Sequence, residues 1–139
     1  MFNEEIPLQQ LQNDFLNSKK LNLYVLRLDL IHPQISGNKW FKLKYNLEKA
    51  GNENYTTILT FGGAYSNHIV ATAAVCKRLG FKSIGIIRGE KSEPLNERLA
   101  FATSCGMQLE YISRTDYRLK QEESFTEDLK KKYGNIYII

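Results

Sequence analysis

Short apolar runs alternate with amphipathic stretches along this chain, and their order predicts repeated strand–helix units. Four β-branched or alternating apolar segments predict strands that begin near residues 57, 83, 107 and 136. These starts lie 24 to 29 residues apart, which fits a strand plus one crossover helix and therefore parallel strands. We predict an α/β chain with a three-layer open parallel sheet and helices on both faces.

Apolar positions three or four residues apart predict the helices between these strands. Four of the five predicted helices have a residue suited to begin or end them. An extended segment, Leu21–Leu30, is predicted before the repeated units. The predicted helices are 5–20 after Pro7, 39–50 ended by Gly51, 66–79 capped by Ser66 or Asn67 and ended by Gly80, one with Pro94 in its first turn and Gly106 after it, and a last one carrying Phe125, Leu129 and Tyr133.

Composition places the chain among ordinary globular domains. It has 139 residues, of which 42% are hydrophobic and 24% charged, enough to bury a core as one domain. No apolar run is long enough to span a bilayer, and the first residues lack the pattern of a signal peptide. These observations predict a cytoplasmic protein.

Charge and cysteine content argue against two further classes. The net charge is +4, and basic residues are interleaved with acidic ones, so no stripe typical of a nucleic-acid-binding protein is present. Cys76 and Cys105 lie far apart, without a Cys-x-x-Cys pair. We therefore expect two buried structural thiols and no metal site.

The last residues continue an apolar strand pattern, Ile136–Ile139. A buried parallel strand is normally followed by a loop and a covering helix. We expect the chain to be the N-terminal portion of a longer polypeptide; a short edge strand is the alternative.

The segment Gly62–His68 joins a predicted strand to a predicted helix. Glycines there allow a ligand to approach the backbone, and the first amides of the helix favour a carboxylate or phosphate. The segment matches neither a dinucleotide-binding nor a P-loop pattern. The alternative is a capped turn with no ligand.

Lys39 is the second candidate, in the first turn of a predicted helix. The helix dipole disfavours a cation there and so favours the neutral, nucleophilic amine that attacks an aldehyde. The alternative is a solvated surface lysine. Four other residues have mainly structural predictions: a satisfied histidine at His68, and ion pairs among Arg27, Asp29 and Arg88, for which lining a site is the alternative.

Two segments in this order resemble a known family. Ser36–Lys39 with Leu43, followed by Phe61–His68, is similar to the 1-aminocyclopropane-1-carboxylate deaminase and D-cysteine desulfhydrase family, and Arg27–Leu30 also fits. These are pyridoxal-phosphate enzymes of the tryptophan-synthase-β-like fold. The resemblance covers essentially the whole chain, which matches only the N-terminal half or less of a family member.

The resemblance implies roles for four residues. Lys39 would be the Schiff-base lysine for pyridoxal phosphate and would shuttle protons at the substrate carbon. Asn67 would hydrogen-bond the cofactor near its 3′ oxygen. Ser66 would hold the substrate carboxylate and relay a proton, and Asn67 and His68 would also contact the substrate. The reaction implied is deamination or desulfuration of a small amino acid, D-cysteine or 1-aminocyclopropane-1-carboxylate, to ammonia and a keto acid.

The resemblance also implies a domain division and an assembly. Residues 1–40 and 134–139 would belong to a large cofactor domain, and 41–133 would form the small α/β domain. The full-length protein would be a homodimer, and the isolated chain would be inactive because the phosphate loop, the pyridine-nitrogen partner and the active-site tyrosines lie outside it. Phe41 and Tyr65 stand where many members carry a basic residue and a glutamine, which could alter substrate choice.

Two interpretations without catalysis remain open. One is an α/β module that binds a small carboxylate or phosphate at Gly62–Asn67. The other is a purely structural segment that completes a larger sheet. Within the family, the sequence does not separate ring opening from β-elimination.

Overall fold

The structure, a computed structural model, describes residues 5–35 and 37–139. Ser36 of the lysine segment lies outside the described residues. The N-terminal part contains β1 (Leu8–Leu11), α1 (Asp14–Ser18), β2 (Leu23–Leu26) and a 3-10 turn (Leu28–Leu30). The remainder contains α2 (Asn38–Asn52), β3 (Thr57–Gly63), α3 (Asn67–Leu79), β4 (Lys82–Arg88), α4 (Glu97–Ser104), β5 (Gln108–Ile112), a 3-10 segment (Asp116–Gln121), α5 (Glu123–Tyr133) and β6 (Ile136–Ile138).

The central sheet has four parallel strands in the order β5-β4-β3-β6. β3 pairs with β4 along its whole length, so that Gly63 lies opposite Arg88, and β6 pairs with the first half of β3. Each neighbouring pair along the chain is joined through a helix, as parallel strands require. The predicted parallel sheet is confirmed.

Helices cover both faces of the sheet. Ile58 packs in a buried cluster with residues of α2 and α3, whereas the next residue, Leu59, packs in a cluster with Leu129 of α5. Successive strand residues point to opposite faces, so α5 lies on the face opposite α2 and α3. The predicted three-layer architecture is confirmed.

The predicted helix 5–20 is wrong. β1 pairs antiparallel with β2, with Leu8 opposite Leu26, and only Asp14–Ser18 is helical. The spacing of Leu8 and Leu11 suited a helix, but β2 supplies β1 with backbone hydrogen-bond partners from a distant part of the chain. Every residue of both strands is exposed.

Two predicted helix boundaries are also wrong. Gly51 lies inside α2, and the left-handed residue after this helix is Asn54 (φ 61°). Pro94 precedes α4, whose N-cap is Asn96. The other predicted stops hold: Gly80 ends α3 at φ 79°, and Gly106 follows α4 at φ 90°.

The last strand lies in the same sheet as the middle of the chain. The resemblance implies that residues 134–139 belong to the large cofactor domain; within this chain, β6 pairs with β3. The division of the chain at residues 40 and 134 stays a prediction.

Candidate active site

The turn between β3 and α3 is held by a side-chain cap. The Ser66 hydroxyl oxygen accepts hydrogen bonds from the backbone N–H groups of His68 (3.2 Å) and Ile69 (3.4 Å). These amides have no partner within the helix, so the cap stabilises the first turn of α3. Of the two predicted caps, the structure uses Ser66, and it leaves the side chain of Asn67 to other contacts.

Close packing explains Gly62 in this turn. An ideal Cβ at position 62 would lie 2.5 Å from Ile69 Cγ1 and 3.0 Å from Ser66 Cβ. Only a residue without a side chain allows the end of β3 to approach α3 so closely. α3 itself is deeply buried, and it therefore gives the turn a rigid support.

The start of α4 is joined to the same turn by two side chains. Asn96 caps α4 by accepting from the N–H groups of Arg98 and Leu99, and its Nδ2 donates to Ala64 O at 3.1 Å. Arg98 Nη1 donates to Asn67 Oδ1. Sequence reasoning missed Asn96 and Arg98; the available signal was an asparagine directly before a helical pattern.

Lys39 is the second residue of α2, in the first helical turn as predicted. Gly37 is the N-cap, with φ 63° and ψ −145°, a conformation that favours glycine, and it has no side chain with which to cap the helix. The Lys39 amine donates to Asn38 Oδ1 at 2.6 Å.

Lys39 and Asn67 line one cleft of about 410 Å³. They are 28 positions apart in the sequence, and the fold brings them together. Lys39 and Arg98 bring two cations to the cleft and Glu97 one carboxylate. Its other lining residues are Pro33, Gln34, Val70 and Phe101.

His68 faces the sheet rather than the lining of this cleft. Its Nε2 lies 2.9 Å from Thr60 Oγ1, and that hydroxyl donates to Ile139 O at 3.3 Å. Because a hydroxyl has one proton, Thr60 accepts from Nε2–H, and we assign His68 the tautomer protonated there. Its Nδ1 is buried and has no hydrogen-bond partner within the described part of the chain.

The surroundings of His68 favour its neutral form. Burial lowers the pKa of His68 below its ordinary value, and the positive charges of Lys39 and Lys42 lower the pKa further. The Nε2 contact with Thr60 agrees with the structural histidine predicted from the sequence, but the prediction of a satisfied histidine holds for that nitrogen alone, because the buried Nδ1 has no partner in the described part of the chain. Its predicted contact with a substrate stays a prediction.

The remaining candidate residues take structural roles. Arg27 and Asp29 form an ion pair at 2.7 Å, as predicted, while the Arg88 guanidinium lies 5.5 Å from the centre of the Tyr117 ring. Cys76 is buried, as predicted, and Cys105 is only partly buried. Over residues 5–35 and 37–139 there is no group of three metal-binding side chains, and no helix could cross a membrane.

Known proteins share both the sequence and the fold of this chain. It is 37% identical over 121 residues to a Thermotoga maritima protein named "Putative 1-aminocyclopropane-1-carboxylate deaminase", covering 85% of this chain and 38% of that protein. It is 32% identical over 115 residues to an Arabidopsis thaliana protein named bifunctional D-cysteine desulfhydrase/1-aminocyclopropane-1-carboxylate deaminase, mitochondrial, covering 79% of this chain and 29% of that one. No protein-family model matches.

A solved structure of an ACC deaminase homologue superposes with a TM-score of 0.78 at 28% identity, covering 99% of this chain and 42% of that one. A hydrogen sulfide-producing enzyme from Fusobacterium nucleatum, 20% identical with a TM-score of 0.70, shares the fold, over 96% of this chain and 41% of its own. The chain therefore has the α/β fold of 1-aminocyclopropane-1-carboxylate (ACC) deaminase homologues. The chain spans about two fifths of the length of the first relatives it matches. It belongs to the 1-aminocyclopropane-1-carboxylate deaminase and D-cysteine desulfhydrase family.

Proposed function

We propose that this chain is part of a pyridoxal-phosphate-dependent enzyme that deaminates or desulfurates a small amino acid, with Lys39 as the lysine that binds the cofactor. The observation that carries the proposal is that Lys39 and Asn67 line the same cleft. The names of the relatives supply the two candidate substrates, D-cysteine and 1-aminocyclopropane-1-carboxylate.

The side chains of the cleft suit this cofactor. An aldehyde needs an amine, which Lys39 offers from the first turn of α2, and a ring oxygen needs a donor, which the Asn67 amide offers from the first turn of α3. When bound, pyridoxal phosphate supplies an electron sink for the carbanion formed at the substrate. The protein supplies binding and orientation.

The chain's own residues would then divide the work. Lys39 Nζ would move the proton at the substrate α-carbon or the neighbouring carbon, and Asn67 would orient the cofactor. The Ser66 hydroxyl, whose oxygen already accepts from the His68 and Ile69 N–H groups, would donate its own proton to the substrate carboxylate. His68, bonded to Thr60, would lie outside the lining of the cleft. Overall, D-cysteine and one water would give sulfide, ammonia and pyruvate, whereas 1-aminocyclopropane-1-carboxylate and one water would give ammonia and 2-oxobutanoate.

The experiment locates the cofactor on the chain. Pyridoxal phosphate is titrated into the purified full-length protein that contains this chain, the lysine–cofactor link is made permanent with borohydride, and peptide mass spectrometry finds the modified residue. We expect the label on Lys39, together with a visible absorbance band. Both should be lost in Lys39→Ala and kept in the matched control Lys42→Ala, an exposed lysine of the same helix.

Three results would argue against this proposal. One is label spread evenly over surface lysines. Another is a band that survives in Lys39→Ala. The third is carboxylate affinity that is unchanged by Lys39→Ala, with no covalent link, which would favour the non-catalytic module at Gly62–Asn67. Sulfide, ammonia and keto acid measured after addition of each substrate separate the two reactions. The homodimer and the inactivity of the isolated chain stay predictions.

A further inference from the structure

Arg98 contacts the one atom of the Asn67 side chain that accepts hydrogen bonds. Arg98 Nη1 donates to Asn67 Oδ1, and both residues line the cleft that also holds Lys39. An asparagine amide has one acceptor oxygen and two N–H donors, and a guanidinium carries donors only. The contact therefore fixes which way the amide faces: Oδ1 is directed to α4, and the Nδ2 donors are left for other partners.

We propose that Arg98 is a positioning residue, which holds the Asn67 amide so that it presents donors to the cleft. The ligand group that Asn67 meets must then be an acceptor, such as an ionised ring oxygen or a carboxylate. Without Arg98 the amide could rotate by half a turn and present its oxygen instead. The inference rests on the proposed function, because it assumes that the ligand binds in this cleft.

The backbone beneath Arg98 is fixed to the same turn. Asn96 Oδ1 accepts a hydrogen bond from the Arg98 N–H at 3.0 Å, and Asn96 Nδ2 donates to Ala64 O at 3.1 Å. The start of α4 is therefore joined to the β3–α3 turn both at Ala64 and at Asn67. Because the backbone at the start of α4 is held in place, the Arg98 side chain loses less conformational entropy when it contacts Asn67.

No carboxylate competes for Arg98 in the described part of the chain, since none forms an ion pair with it at 4.0 Å or less. A guanidinium has five N–H donors in a rigid planar arrangement, and a lysine ammonium offers neither the same reach nor the same plane. Arg98→Lys should therefore keep the charge but recover only part of the effect.

The first measurement needs no ligand. The side-chain amide resonances of Asn67 are assigned in the proton–nitrogen NMR spectrum with the help of Asn67→Ala. We expect Arg98→Met to shift these resonances, because the hydrogen bond to Oδ1 is lost. Arg118→Met, which removes an exposed arginine of the 3-10 segment, should leave them in place. Unchanged Asn67 resonances in Arg98→Met would overturn the proposal.

The second measurement is a double-mutant cycle on the affinity for pyridoxal phosphate, followed by absorbance. A hydrogen bond to a charged group is lost, so Arg98→Met should weaken binding about tenfold. Because Arg98 acts through Asn67, the same substitution made in Asn67→Ala should have almost no further effect. Additive effects would show that Arg98 binds the ligand directly and would refute a positioning role. Thermal denaturation of each variant checks that it is folded.

The two proposals fail differently. If the wild-type protein binds no pyridoxal phosphate while Arg98→Met still shifts the Asn67 amide, the proposed function is wrong and the positioning of Asn67 stands. If the cofactor binds at Lys39 and the Asn67 amide does not respond, the role of Arg98 is wrong and the proposed function stands.

Discussion

Gly62→Ala should destabilise the protein, because the new methyl group has no room at the junction of β3 and α3. Its Cβ would lie 2.5 Å from Ile69 Cγ1 and 3.0 Å from both Ile69 Cδ1 and Ser66 Cβ. Carbon atoms pack at roughly 3.5–4.0 Å, so α3 or β3 must move by an ångström or so. Ile69 is fully buried and cannot swing into solvent.

The expected magnitude is the balance of two effects. Overpacking a core costs roughly 1–3 kcal/mol, whereas replacing a glycine restricts the unfolded chain and returns about 0.4–1 kcal/mol. The neighbouring substitution Gly63→Ala is the matched control, because its Cβ would meet its nearest atom, Arg88 Nη2, at 3.8 Å. Gly63→Ala should therefore avoid the overpacking and keep only the stabilising restriction of the unfolded chain. The two variants should therefore differ by roughly 1–3 kcal/mol.

Urea denaturation gives the free energy of unfolding of each variant. We expect a lower midpoint for Gly62→Ala at an unchanged slope, and a midpoint at or slightly above that of the wild type for Gly63→Ala. In an Ile69→Val background the cost of Gly62→Ala should shrink, because one of the clashing atoms is removed. Equal stabilities of the two alanine variants would refute the close packing described at this turn.

The remaining predictions concern single side chains. The pKa of His68 is lowered mainly by burial, so the unfolded chain takes up a proton at a higher pH than the folded one, and the free energy of unfolding should fall as the pH drops from about 7.5 to 5.5. His68→Gln should flatten this fall. An equal dependence on pH in both proteins would contradict the lowered pKa of His68. Ser66→Ala removes the cap of α3 and should cost about 1 kcal/mol in denaturation, whereas Ser104→Ala, at an exposed site, should cost much less. Burial raises the pKa of Cys76 to about 12. A thiol reagent at mildly alkaline pH should therefore modify the half-buried Cys105 first and reach Cys76 only after denaturation. The reverse order of modification, followed by mass spectrometry, would disprove the buried state of Cys76.

Most of the fold could be predicted because its signals are local. The strands of the parallel sheet were found from apolar runs, and the ends of α3 were found from Ser66 and Gly80. The errors occur where a distant partner decides. Leu8–Leu11 forms a strand because Leu23–Leu26 pairs with it, and no local spacing shows that pairing.

The sequence by itself determined the order of strands and helices, the cap and the glycines of the β3–α3 turn, and two segments whose resemblance named the family. Those properties depend on residues that are close together along the chain. The tertiary structure alone decided that Lys39 and Asn67 line one cleft, that His68 bonds to Thr60, and that Arg98 reaches Asn67. These contacts depend on how α2, α3 and α4 pack on the sheet, and packing is fixed by the fit of whole surfaces rather than by the spacing of residues within any one element.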